Sequence, residues 1–299
     1  IKSQHLEIPQ AHALTDVTTE AAPFYLLNRG EWDRRGGRVL PGIPAVLNME
    51  SNDYHPEPSP ANTTGRRLAF ARWLTQPDHP LTSRVFVNRV WRQYFEHGIV
   101  PTVGDFGRAG ALPSHPELLD HIAIQFVESG WSMKQLHRSI VLSATYRQAS
   151  LVRDEAKAID PENRLFWRMP MRRRDAESIR DSILAIAGTL NEQMYGPSST
   201  TETQPDGQVI TPATAQNRRR SVYMLHRRLT PETILETFDA PRMSTNCLER
   251  RSSTVVNQSL LMLHSQFLEE QSAELAKRVR MTAGEDANAQ VISLYQLVL

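Results

Sequence analysis

Apolar residues recur at three- and four-residue spacing from Gly65 onward, the period of helices that bury one face. Arg66 to Leu74 is the first predicted helix. Leu81 to His97 is the second, with a seam of Leu81, Val85, Val90, Trp91, Tyr94 and Phe95 and with Gly98 placed to close it in a left-handed turn. Ser114-His115-Pro116-Glu117 reads as the start of a third helix, in which Ser114 caps, Glu117 reaches back and proline rests in the first turn. Its core side is Leu118, Leu119, Ile122, Ala123, Phe126 and Val127, and Gly130 ends it. Ser132 with Gln135 opens a fourth helix, cored by Leu136, Ile140, Val141 and Ala144. A fifth, Asp175 to Leu190, holds Ile179, Ile183, Ile186, Ala187 and Leu190 in register. Further helices are expected at about Pro231 to Phe238, Gln258 to Val279 and Ala287 to Leu299.

Residues 1–64 lack this period and are rich in proline, so they read as an extended N-terminal arm with short strands at Phe24–Leu27 and Ala45–Leu47. Ser221 to Leu225 is a third predicted strand. Residues 197–217 show no periodicity and are expected to form a flexible loop, a flap beside a site. The expected fold is mainly α: an irregular helical bundle over 65–299 with a minor β element built from the arm and Ser221–Leu225. Ile1-Lys2-Ser3 carries no initiator methionine or signal pattern, and Ile292 to Leu299 stops inside an amphipathic run. The chain is therefore expected to be a piece of a longer protein, truncated at both ends.

Composition narrows the chemistry. Of 299 residues, 40% are hydrophobic and 22% charged, enough apolar surface for a packed core, and no run approaches the roughly 18 apolar residues of a membrane span. The 34 basic and 33 acidic residues leave a net charge of +1, which excludes a broad nucleic-acid footprint despite arginine triplets at 172–174 and 218–220. One cysteine, Cys247, excludes a disulfide framework, a Cys-x-x-Cys zinc site and c-type haem attachment within this chain. The histidines are scattered, and no metal ligand set is expected. Thirty of the basic residues are arginine and four are lysine, so forked guanidinium donors suited to carboxylates or sulfates predominate.

Catalytic signatures such as Gly-x-Ser-x-Gly or His-Glu-x-x-His are absent from the sequence. Candidate binding residues are those that packing alone does not explain. Arg84, Asn88 and Arg92 fall at i, i+4 and i+8 on the second helix, either an anion-reading ridge or an ion-paired solvent face, with Arg89 beside them. His137 adjoins the apolar stripe of the fourth helix, as a base, a ligand or a hydrogen-bonded core residue. Arg174, Asp175, Glu177 and Arg180 crowd the start of the fifth, as an ion-pair network or a ligand clamp in which the carboxylates stay charged. Arg84 or Arg89, Asp105 in the turn after the second helix, and Arg174 with Asp175 are expected to converge in one pocket rimmed by 197–217.

Several spaced motifs resemble a known family. They are Gly65-Arg66-Arg67-Leu68-Ala69, Asp78-His79-Pro80-Leu81-Thr82, Val87-Asn88-Arg89-Val90-Trp91, Gly104-Asp105-Phe106-Gly107, Pro113-Ser114-His115-Pro116-Glu117, Leu136-His137-Arg138, Asp175-Ala176-Glu177 and Phe238-Asp239-Ala240-Pro241. Together they resemble the planctomycete-type secreted domain of unknown function (the PSD family) found C-terminal to planctomycete cytochrome C domains. Val256-Asn257 and His264 depart from the family's usual prolines and asparagine, which puts in doubt the start of the helix at Gln258. The resemblance implies an extracytoplasmic location, periplasmic or secreted, and a preceding cytochrome-type domain of the same polypeptide as partner. Any haem c would belong to that domain, with no cofactor in this chain. It carries over no catalytic residue. The expectation is a non-catalytic binding or interaction module of a polysaccharide-associated protein, with an anionic glycan as a candidate partner. The alternative is a glycan-active, hydrolase-like enzyme using Asp105, Asp175 or Glu177.

Overall fold

The structure is a computed structural model that describes residues 14, 16, 18–47, 54, 56–57, 63–241, 247, 250 and 252–298. Ile1-Lys2-Ser3 and Leu299 lie outside them. Two compact units divide the chain, Ile1–Pro170 and Met171–Leu299. The fold is mainly α: ten helices and two two-stranded sheets stand among the described residues.

The first unit opens with an antiparallel hairpin, β1 (Phe24–Leu27) and β2 (Arg35–Val39), with Phe24 opposite Val39. Ala45–Leu47, predicted as a strand, is instead a 3-10 turn closed by the Leu47 amide donating to the Pro44 carbonyl. A proline two residues after Gly42 favours such a turn over a ladder. Helices α1 (Arg66–Leu74), α2 (Thr82–Phe95), α3 (Pro116–Glu128), α4 (Met133–Leu142) and α5 (Asp154–Ile159) follow. The core shared by α2, α3 and α4 is Val87, Trp91 and Phe95 of α2, Leu119, Ile122 and Phe126 of α3, and Leu136 and Ile140 of α4, with Phe166.

Two end signals work differently from expectation. The left-handed residue closing α2 is Glu96, φ 67°. Gly98 is needed for a close approach instead, since a Cβ there would lie 2.6 Å from the Val100 carbonyl and 2.7 Å from the Asn88 amide. At α3 the cap position falls to His115, because Ser114 is drawn to Ile99, its amide donating to the Ile99 carbonyl at 2.8 Å. Ser132 does cap α4, accepting from the Gln135 amide. The start of α2 is held by a residue outside it: His79, 4% exposed against the edge of Trp73, accepts at Nδ1 from the Leu81 and Thr82 amides.

The second unit comprises α6 (Ala176–Ala187), the hairpin β3 (Glu202–Thr203) and β4 (Val209–Ile210), α7 (Thr233–Thr237), α8 (Val256–His264), α9 (Gln266–Ala283) and α10 (Ala287–Val298). Its core gathers Ala176, Met224, Ile234, Leu235 and Phe238, with Ile179, Ile183, Leu261 and Phe267 against them. Ser221–Tyr223, the start of a predicted strand, is a 3-10 turn. The Ser221 amide and hydroxyl both donate to Asp181 Oδ1, at 2.8 and 2.7 Å, so a side chain takes the place of a strand partner. The predicted helix Gln258–Val279 is two helices broken at Ser265, whose backbone is extended. Despite the departures at 256–257, α8 begins at Val256, where the Gln258 side chain accepts from the Val255 amide.

Candidate functional site

Each expected site residue in the first unit has a defined place. Arg84 Nε donates to Asp120 Oδ1 at 2.6 Å and its Nη1 to the Pro80 carbonyl at 2.9 Å, tying α2 to α3. Asn88 is not on an outward ridge. It is fully buried, its Oδ1 accepting from the Val100 amide at 2.8 Å and its Nδ2 donating to the Val100 carbonyl at 2.9 Å. A turn that must fold back on α2 needs one donor and one acceptor on a short stem, which an asparagine supplies. Arg89 is exposed. Asp105 sits in an exposed turn where its Oδ1 accepts from the Gly107 amide. His137 Nδ1 lies 2.6 Å from the Tyr94 hydroxyl, edge-on to the ring and beside the core. Among the described residues, no hydrogen bond or ion pair joins Arg84, Arg89 and Asp105.

In the second unit Arg174 is exposed. Asp175 caps α6, accepting from the Ser178 amide, and lies 3.7 Å from Arg250. Burial works to raise its carboxyl, but the Ser178 hydrogen bonds and the Arg250 and Arg172 charges outweigh it and hold the group below the usual carboxylate range. Glu177 holds Arg250 in a two-pronged pair, 2.6 and 3.1 Å. That pair is the geometry in which guanidinium and carboxylate match best.

The inward-facing charge of this helix is Arg180, 2% exposed on the buried stripe Ala176, Arg180, Leu184 and Ala187. Its guanidinium donates to the Arg219 and Asn217 carbonyls at 3.0 and 2.9 Å and approaches Ser221 Oγ at 3.3 Å. Arg219, wholly buried, donates in turn to the Gln216, Tyr195 and Pro197 carbonyls and lies over the Tyr223 ring. Two buried guanidiniums thus use main-chain carbonyls to knot residues 195–221 around α6. The predicted loop 197–217 forms part of that knot: Ser199 exchanges backbone bonds with Tyr223 and Leu225, and Asn217 binds Thr200 at both ends of its amide.

Beside this knot lies a cavity of about 540 Å³, within the range of small-molecule sites. The β3–β4 hairpin, the segment to Arg218, the start of α7 and the α8–α9 corner line it. Glu232 caps α7 at its wall, Oε2 accepting from the Leu235 amide at 3.1 Å. Burial pushes its carboxyl up to about 7, against the Leu235 and Ile234 amides and the Arg180 charge, which favour the ionised form. The Thr211 hydroxyl stands beside that carboxyl and also favours its ionised form, while its buried oxygen meets no partner in close hydrogen-bond geometry among the described residues. Arg218 Nε in the same wall is likewise buried and unpartnered.

Sequence reasoning passed over Glu232, Thr211 and Arg218 as site residues. A legible signal existed for Arg180 alone: a charge in register with Ala176, Leu184 and Ala187 on a helix otherwise apolar along that line. Among the described residues no cluster of three His, Cys, Asp or Glu is placed to hold a metal ion, and no helix is long and apolar enough to cross a membrane.

Residues 66–299 match the family described as PSD1, protein of unknown function (DUF1553). No curated protein and no solved structure matches the chain.

Proposed function

Because the chain belongs to the PSD1 family of proteins of unknown function, which assigns it no reaction, we propose from its geometry that it is a non-catalytic binding or interaction module. The cavity of the second unit carries this reading: about 540 Å³ walled by groups of both charge signs, with a buried guanidinium N–H, Arg218 Nε, that no group among the described residues satisfies. The three carboxylates singled out for a glycan-active enzyme support it from the other side. Asp105 serves the Gly107 amide, Asp175 caps α6, and Glu177 is committed to Arg250. A glycosidase keeps two carboxyl groups free across a gap of about 5 to 10 Å.

In the larger frame of the proposal, the module is extracytoplasmic and follows a cytochrome-type domain in the same polypeptide. Its polymer-scale partner is a polysaccharide. The test is a panel of neutral, carboxylated and sulfated polysaccharides, with binding read by affinity electrophoresis and turnover by release of reducing ends. Retention of at least one polymer without turnover is the expected result. Release of reducing ends that disappears in Asp105→Ala, Asp175→Ala or Glu177→Ala would establish the enzyme instead.

A further inference from the structure

We infer that the cavity of the second unit binds a small hydroxyl-bearing oxyanion, with Arg218 facing the ligand's negative charge and Thr211 and Glu232 donating to its oxygens. The inference rests on the binding-module reading and names the ligand class of its site.

The first reason is how the arginines of this unit are used. Arg180 and Arg219 spend their donors on main-chain carbonyls, and Arg173 and Arg250 pair with Asp239 and Glu177. Arg218 forms no ion pair among the described residues, and its Nε is withdrawn from solvent with no acceptor. A guanidinium N–H out of water and unpaired is costly, and a ligand oxygen that meets it removes that cost while cancelling the charge.

The second reason is Thr211. Its oxygen, buried in the same wall, can donate or accept, and a hydroxyl-bearing oxyanion offers both complements. The Gln208 and Gln271 amides in the same lining are already engaged, Gln208 Nε2 donating to Asp206 and Gln271 Oε1 accepting from Thr189, so Thr211 is the neutral group open to the ligand.

The third reason is the setting of Glu232. The charged and titratable groups around the cavity are Arg180 from α6, Arg218, Asp206 from the hairpin turn, and His264 and Glu270 from the α8–α9 corner. Arg180 already answers Asp181 at 3.6 Å and a set of carbonyls, so Glu232 lacks a dedicated counter-charge. An enclosed carboxyl in that setting holds its proton close to neutrality, and in the acid form it becomes a donor toward an anion instead of repelling it. Binding is then linked to retention of one proton and weakens as pH rises past the point where Glu232 ionises.

The experiment is isothermal titration of the whole chain with glucuronate and with glucose 6-sulfate, using glucose as the uncharged control, at pH 6 and pH 8.5. At pH 6 at least one of the two anions is expected to bind about tenfold or more tighter than glucose. Arg218→Gln removes that preference, and because Arg218 is tied to its neighbours among the described residues through its main chain, the variant keeps the fold. Wild type loses about tenfold in affinity between pH 6 and pH 8.5, whereas Glu232→Gln, which keeps an acceptor for the Leu235 amide, shows a flat profile. Glucose binding as well as both anions, or an anion preference untouched by Arg218→Gln, overturns the inference. If polysaccharides are retained while neither small anion binds, the module reading survives and this site assignment falls.

Discussion

Asn88 carries as much structural work as any single side chain in the first unit. Its amide answers both the N–H and the C=O of Val100, and Gly98 leaves room for it. Asn88→Ala strands two buried main-chain groups, so chemical unfolding is expected to show a loss of about 2 to 4 kcal/mol. Asn88→Asp costs at least as much, because a carboxylate would face the Val100 carbonyl. Glu232 behaves oppositely, since the fold disfavours its charge. Its folded pKa, about 7, lies above the ordinary glutamate value of 4.5, so the folded state binds the extra proton between those limits. The stability associated with the acid form is complete below about pH 4.5 and is lost as pH rises through 7. Urea unfolding of Glu232→Gln against wild type is therefore expected to show a gap in favour of the variant that opens across this window, on the order of 3 kcal/mol at pH 8.

At the scale of elements, helix ends are where side chains decide the path of the chain. Asp239, left-handed at φ 66° just beyond α7, accepts from the Ser253 amide and hydroxyl and from Arg173 Nη2 at 2.6 Å. Burial tends to raise its carboxyl, and these Ser253 and Arg173 contacts outweigh it and hold the group below its ordinary value. That contribution is present above the unfolded aspartate pKa and fades as pH falls through the lower folded one. Asp239→Asn is accordingly expected to lower the melting temperature at pH 7, with the difference from wild type closing in acid. On α6, Arg180→Lys keeps the charge but cannot reach the Arg219 and Asn217 carbonyls together with a planar fork. It is expected to cost about 2 to 4 kcal/mol and to raise amide exchange in residues 195–221 first.

Across the whole molecule, each unit has its own core and its own polar commitments. His79, whose imidazole is pushed down by burial, works in the first unit. Its stability is present above the unfolded histidine pKa and is lost as pH falls through the depressed folded value. Asp175 and Asp239 withdraw stability in acid, and Glu232 withdraws it toward neutrality, all three in the second unit. Replacing Glu232 by glutamine is thus expected to move the stability optimum of the second unit upward in pH, measured by thermal unfolding across pH 4 to 8.5.

The mainly helical fold was legible from periodicity, because an apolar stripe at 3.6-residue spacing needs no knowledge of its partner to declare a helix. Arg66–Leu74 and Ala287–Val298 match their helices closely, as does the Ser132 cap of α4. Local steric demands were legible in the same way, including the proline in the first turn of α3 and the glycine past its end. What the sequence could not settle is which of two faces a helix turns inward when both carry apolar residues. On α6 the deepest line runs through Arg180, with Ile179 and Ile183 half-buried beside it, because carbonyls from a segment some forty residues away were there to receive the guanidinium. Within the second unit, remote contacts also made a 3-10 turn of Ser221–Tyr223 and brought Glu232, Thr211 and Arg218 around one cavity, and in the first unit the Val100 main chain, twelve residues on, buried Asn88. Periodicity is a property of neighbours along the chain. Satisfaction of a buried polar group depends on which remote atoms arrive beside it, and only the tertiary structure supplies those.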